Sequence, residues 1–125
     1  MGWSTWLFLS LMMTGLLWGC GEGADQEVVE TADPQPVPQE VLAIVQKGEC
    51  LDCHVLDGQG IHEGPSLNRV GARLSAEQLR RKIVNPAAFP AQGYENLAGR
   101  MPTDFQERFT QEELALLVDH LASRR

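Results

Sequence analysis

Positive charge is scarce in this sequence. Ten Lys and Arg stand against seventeen Asp and Glu, a formal net charge of −7 over 125 residues. Nucleic-acid binding needs a basic surface, so that class is excluded. Aromatic residues make up only 6% of the chain, and all three tryptophans (Trp3, Trp6, Trp18) precede residue 20. Methionine is almost confined to the same stretch: Met1, Met12 and Met13 lie there, and beyond it there is only Met101. There are three cysteines, Cys20, Cys50 and Cys53. No segment alternates convincingly as a strand and no internal repeat is present, which argues against a sheet-built fold. The length has room for one domain and not two.

The charge that is present is unevenly placed. Residues 1–21 carry none. Residues 3–19, WSTWLFLSLMMTGLLWG, form an apolar run about as long as a signal-peptide core and short of the roughly 20 residues of a membrane span. The run ends at Leu17-Trp18-Gly19-Cys20, which resembles the lipobox of bacterial lipoproteins, with Trp18 bulkier than usual. Residues 1–19 are therefore expected to be a lipoprotein-type signal peptide, and Cys20 the lipid-bearing residue. An uncleaved N-terminal anchor is the alternative. Either way the remainder is expected to be exported and tethered to a membrane. Residues 20–38 come next as a linker. Glu22, Asp25, Glu27, Glu30 and Asp33 give this stretch five acids and no base. Acid, Pro and Gly dominate it, and such a segment buries too little to offset its ordering entropy. As a flexible coil it spans about 20–25 Å.

Residues 39–125 remain as the domain. Three helices are expected. The first runs from about Pro38 to Lys47, with Val41, Leu42, Ile44 and Val45 on one side, Pro38 at its first position and Gly48 ending it. The second covers 75–85, opened by a Ser75/Gln78 capping box and stopped by Pro86. The third begins with a Thr110/Glu113 capping box and carries Leu114, Leu117, Val118 and Leu121 at helical spacing to the chain end. Gly- and Pro-rich loops lie between. Such a thin core needs help from a disulfide, a metal or a cofactor.

Cys50-Leu51-Asp52-Cys53-His54 is C-x-x-C-H, which in an exported chain is the attachment signature of haem c. Two thiols three residues apart on a turn can add to the two vinyl groups of one haem, and the adjacent imidazole then reaches the iron. Three other readings compete. A thioredoxin-like C-x-x-C needs a strand and a parallel sheet, but here a helix precedes the motif and no strands come after it. Structural zinc needs four ligands, and beyond Cys50, Cys53 and His54 the only nitrogen ligands are His62 and His120. A plain disulfide accounts for neither His54 nor Met101. Met101 sits 47 residues after His54, in Gly99-Arg100-Met101-Pro102. A lone Met is usually core filler. Between Gly, Arg and Pro it is poorly placed for that and suits a second axial ligand, where a soft thioether raises the potential.

These features together resemble the class I monohaem cytochromes c in their short bacterial form. The resemblance covers about residues 39–125. It rests on C-x-x-C-H, Gly60, Gly64-Pro65-Ser66-Leu67, Gly71-Ala72-Arg73, Met101-Pro102 and the terminal Asp119-His120-Leu121. It implies an all-α fold of short helices and long loops around one covalent haem c, held through Cys50 and Cys53 with His54 and Met101 on the iron. It further implies that the Pro65 carbonyl binds the free ring nitrogen of His54, that Arg73 neutralises a haem propionate, and that the terminal helices cross. Two departures stand out. His120 replaces the family's usual aromatic residue, and the first helix has no glycine at the crossing, leaving Ala43 as the small residue.

The expected function is one-electron transfer, with no catalytic acid, base or nucleophile. Donor and acceptor would be membrane or periplasmic redox proteins. A haem-based sensor of small ligands and a small peroxidase-like cytochrome are the alternatives. His62 reads as solvent-facing and His120 as a packed or half-exposed structural residue. Arg69, Arg73, Arg80, Arg81 and Lys82 read as a solvated helix face with one propionate contact, or as a docking patch for an acidic partner.

Overall fold

The computed structural model describes residues 36–125. The signal peptide, Cys20 and all of the linker except residues 36–38 lie outside the described residues. Among the described residues four α-helices form in chain order: α1 (Gln39–Lys47), α2 (Ala76–Val84), α3 (Phe105–Arg108) and α4 (Gln111–Ser123). Tight 3-10 turns occur at Cys50–Asp52, Val70–Ala72 and Glu95–Arg100.

The three expected helices are present, and both capping boxes form. Ser75 Oγ accepts from the Gln78 amide at 3.3 Å while Gln78 Oε1 accepts from the Ser75 amide at 2.9 Å. Thr110 Oγ1 and Glu113 Oε2 do the same at 3.1 and 2.8 Å. Each such cap stabilises its helix by about 1 kcal/mol. Pro38 lies one position earlier than expected, capping α1 rather than opening it. Asn85 caps α2 before Pro86.

Two elements were not anticipated. Helix α3 is a single turn. A small antiparallel hairpin pairs β1 (Val55–Leu56) with β2 (Gln59–Gly60), in register Val55 with Gly60 and Leu56 with Gln59. Its two-residue connection is Asp57-Gly58, both at positive φ (49° and 74°), as a type I′ turn requires.

The core is one cluster. Val41, Ile44 and Val45 of α1 meet Leu114, Leu117, Val118 and Leu121 of α4. Leu79 and Ile83 of α2 and the parallel-stacked Phe105 and Phe109 complete it. Ala43 is exposed, so it is not the small residue of the α1–α4 packing, contrary to the expectation. The close approaches lie elsewhere. A Cβ on Gly48 would sit 2.6 Å from Phe109 Cζ, and one on Gly71 would sit 2.2 Å from the Ala122 carbonyl oxygen. Gly71 thus lets the 70–72 turn touch the backbone of α4.

The chain end is pinned as well. Arg124, 2% exposed, pairs with Asp57 and donates from Nε to the Asn68 carbonyl at 3.2 Å. Asn68 Oδ1 accepts from the Asp57 amide at 2.7 Å. His120 is half-buried beside Arg124, its Nε2 3.4 Å from the guanidinium, and burial holds its pKa below the ordinary value. These contacts fasten α4 to the hairpin and to the loop beyond it.

Candidate functional site

Helix α1 delivers the chain to the cysteines. Gly48 closes the helix, donating to the Ile44 carbonyl at 2.9 Å. Glu49 then turns into the left-handed region (φ 54°), and Cys50–Asp52 form the 3-10 turn. The His54 amide donates to the Cys50 carbonyl at 2.9 Å, which holds both thiols and the imidazole on one compact turn. Cys50 and Cys53 are both free thiols. Burial pushes the Cys50 thiol up to about 11, aided by the nearby Asp52 charge. A thioredoxin-like site needs a strand and a parallel sheet beside its dithiol, and the described residues hold only the two-stranded antiparallel hairpin. Among the described residues no three of His, Cys, Asp and Glu converge to hold a metal ion.

The imidazole of His54 is oriented by its neighbours. Nδ1 lies 2.8 Å from the Pro65 carbonyl oxygen. A carbonyl only accepts, so Nδ1 carries the proton and the lone pair of the neutral ring is left on Nε2. The carbonyl reaches the ring because the loop before it is laced to the cysteine turn. The Ile61 amide donates to the Leu51 carbonyl at 3.0 Å, and those of Glu63 and Gly64 donate to the Cys53 carbonyl at 3.1 and 2.6 Å. Glycine is required at two points of this loop. A Cβ on Gly64 would lie 2.8 Å from His54 Cε1, and Gly60, at φ 102°, would place one 2.1 Å from the His54 carbonyl oxygen.

Cys50, Cys53, His54, Pro65, Arg73 and Met101 all line one cavity of about 520 Å³. Its walls are mostly apolar, with Leu67, Val70, Leu79, Ile83 and Phe105 among them. That volume falls within the range of about 300–1,000 Å³ usual for cofactor pockets. Met101 comes directly after the 95–100 turn in extended conformation (φ −71°, ψ 131°) and is half-buried. Two thiols and a preoriented imidazole on one segment, a thioether on another and apolar walls between them suit a flat apolar cofactor with a metal at its centre.

A comparison with known families agrees. The family model for cytochrome c matches residues 39–125. The chain belongs to the cytochrome c family. No curated protein and no solved structure gives a significant match. As a cytochrome c, the protein carries haem c, with Cys50 and Cys53 as its attachment pair, and functions as a haem-based electron carrier.

The other expected residues lie at the cavity edge or away from it. Arg73 is exposed at the cavity and its Nη2 donates to the Ser66 carbonyl at 2.7 Å. His62 is exposed. The basic cluster is largely occupied within the chain. Arg80 binds Gln111 at 2.7 Å, Arg81 stacks 4.5 Å above the Phe89 ring, and Lys82 donates to the Phe89 and Pro90 carbonyls at 3.0 and 2.8 Å. The Arg81 and Lys82 contacts hold the 86–90 loop against α2, and the Arg80 contact joins α2 to α4. Sequence reasoning passed over Phe89, Tyr94 and Leu97, which also line the cavity. They fall in irregular loops without periodicity, where pattern offers no signal.

Gly64→Ala tests the geometry around His54. A methyl at this position displaces either the ring or the 63–65 loop. The expected outcome is a lower yield of haem-loaded protein and a destabilisation of about 1–3 kcal/mol, the usual range for overpacking. Thermal melts of the purified holoprotein measure it, and Gly99→Ala, at a position with nothing within 4 Å, serves as the neutral comparison.

Proposed function

We propose that this cytochrome c is a membrane-tethered, one-electron carrier in which His54 and Met101 are the two axial ligands. The observation that carries the reading is the pairing within one cavity. The Pro65 carbonyl takes up His54 Nδ1 and leaves the Nε2 side of the ring for a metal, and Met101, the sole methionine beyond residue 20, lines the same space from a separate loop. Bound haem supplies reversible one-electron chemistry at its iron. The chain's own residues set the conditions. Pro65 holds the His54 ring in one tautomer and strengthens it as a donor. The thioether of Met101 is the softer partner and favours the reduced state. The apolar walls keep water away, which disfavours added charge inside and supports a high potential. Arg73, at the cavity edge, would meet a propionate.

The tether belongs to the N-terminal segment. Cys20, in its lipobox-like context, would carry lipid after cleavage behind Gly19, with the acidic, Pro-rich stretch 20–38 linking it to the domain. Anchoring of this kind confines the domain near membrane or periplasmic redox proteins and raises its effective concentration there. The cell envelope, on the periplasmic side of a bacterial membrane, is the compartment this reading implies.

Replacing Met101 with His tests the ligation. The variant should stay six-coordinate but lose about 100 mV or more of reduction potential, a modest part of the roughly 0.8 V that axial ligands span. His62→Ala and His120→Ala should leave the potential where it was. If Met101→Ala kept the parent's spectrum and potential, the sulfur would not be on the iron. The tether has its own test: Cys20→Ser should abolish lipid attachment and the accompanying signal cleavage, seen by mass spectrometry of the membrane fraction. A cleaved, membrane-bound Cys20→Ser protein would place the anchor elsewhere.

A further inference from the structure

The loop that carries Met101 is held to the cysteine side of the cavity at both of its ends. On the N-terminal side, Arg100 pairs with Glu63 at 3.0 Å. On the C-terminal side, Asp104 is joined to Glu49 through Arg108. Arg108 Nε donates to Asp104 Oδ2 at 2.8 Å and its Nη1 donates to Glu49 Oε2 at 3.0 Å. The two straps are unequal. Arg100 and Glu63 form a single pair between side chains 61% and 44% exposed, where solvent screens most of the attraction. Arg108 is 30% exposed against carboxylate partners Glu49 and Asp104 at 61% and 45%; what sets it apart is that it uses two different nitrogens for two carboxylates and stands on α3 with its guanidinium 6.0 Å from the Phe105 ring. A planar fork suits that double contact, and a lysine ammonium does not reproduce it.

Glu49 adds a second observation. It immediately precedes Cys50 and lies at φ 54°, in the region where a glycine is the natural occupant. A side chain is nonetheless present there, and its carboxylate is the one that meets Arg108. The guanidinium beside Asp104 also holds that carboxyl below the usual carboxylate range.

The geometry points to Arg108 as a positioning residue that clamps the Met101 loop to the Cys50 turn and so keeps Met101 at the haem iron. This rests on the reading of Met101 as the second axial ligand. Arg108 does not line the cavity. It acts by making the loop-open state rarer, and any external ligand that needs the open state binds more weakly in proportion.

Imidazole titration of the ferric holoprotein measures this, because imidazole takes the iron only when Met101 leaves. The far-red absorption band of thioether-bound ferric haem reports the displacement. Arg108→Gln and Glu49→Asn should each tighten imidazole binding about two- to fivefold, the range an exposed ion pair carries. The double variant should exceed neither by much, since the two residues share one interaction. Glu49→Asn tolerates the left-handed backbone and leaves Arg108 on Asp104, so it carries the test if Arg108→Gln folds poorly. Lys47→Met breaks an ion pair with Glu113 between α1 and α4 (2.7 Å). It should lower the melting temperature without changing imidazole affinity, which separates positioning from general stability. Should the parent show the far-red band while both Arg108→Gln and Glu49→Asn bind imidazole as the parent does, Arg108 has no positioning role and the His54/Met101 reading stands. If the parent lacks the band and Met101→Ala binds imidazole no more tightly, the ligation reading fails and the clamp falls with it.

Discussion

The His54 ring has one orientation because Pro65 offers it only an acceptor. That hydrogen bond, 2.8 Å long, decides which nitrogen is free, and much of the chain between residues 55 and 68 serves to deliver it. The hairpin reverses the chain at Asp57-Gly58. The amides of Ile61, Glu63 and Gly64 then tie the returning loop to the carbonyls of Leu51 and Cys53. Gly64 passes flush against the imidazole because it has no Cβ. Leu67, donating to the Val55 carbonyl at 2.9 Å, closes the circuit. The buried Arg124–Asp57 pair then fastens it all to the last helix.

The helices play a different part. Capping boxes fix where α2 and α4 begin, and their apolar stripes make one wall of the cavity as well as the core. Leu79 and Ile83 belong to both. The domain is therefore not a finished core with a cofactor added at its edge. The same side chains that bury one another also face the cavity, so occupancy of the cavity and stability of the fold are linked. A group bound only by the native state stabilises that state.

How far the chain could be read beforehand depends on the kind of signal each element carries. C-x-x-C-H is local and chemically specific, and so were the two capping boxes and the stripe Leu114, Leu117, Val118, Leu121. The Pro65 contact came from resemblance to a family, not from pattern. The hairpin was missed although Asp57-Gly58 is a strong turn signal, because strands of two residues are too short to alternate. Helix α3 was missed because four residues show no period. Ala43 was misplaced because smallness does not say which way a helix face points. The Arg108–Glu49 and Arg124–Asp57 pairs join residues 59 and 67 positions apart, and no local reading brings such partners together.

The covalent union of haem with Cys50 and Cys53 underlies both the cavity's occupancy and the electron-transfer role. Intact-mass measurement of the protein, purified from a cell able to attach haem, tests it most directly. The expected result is the mass of the polypeptide plus one haem, lost as a unit when both cysteines are replaced by alanine. A polypeptide without added haem, lighter only by the two hydrogens of a Cys50–Cys53 disulfide, would contradict covalent attachment.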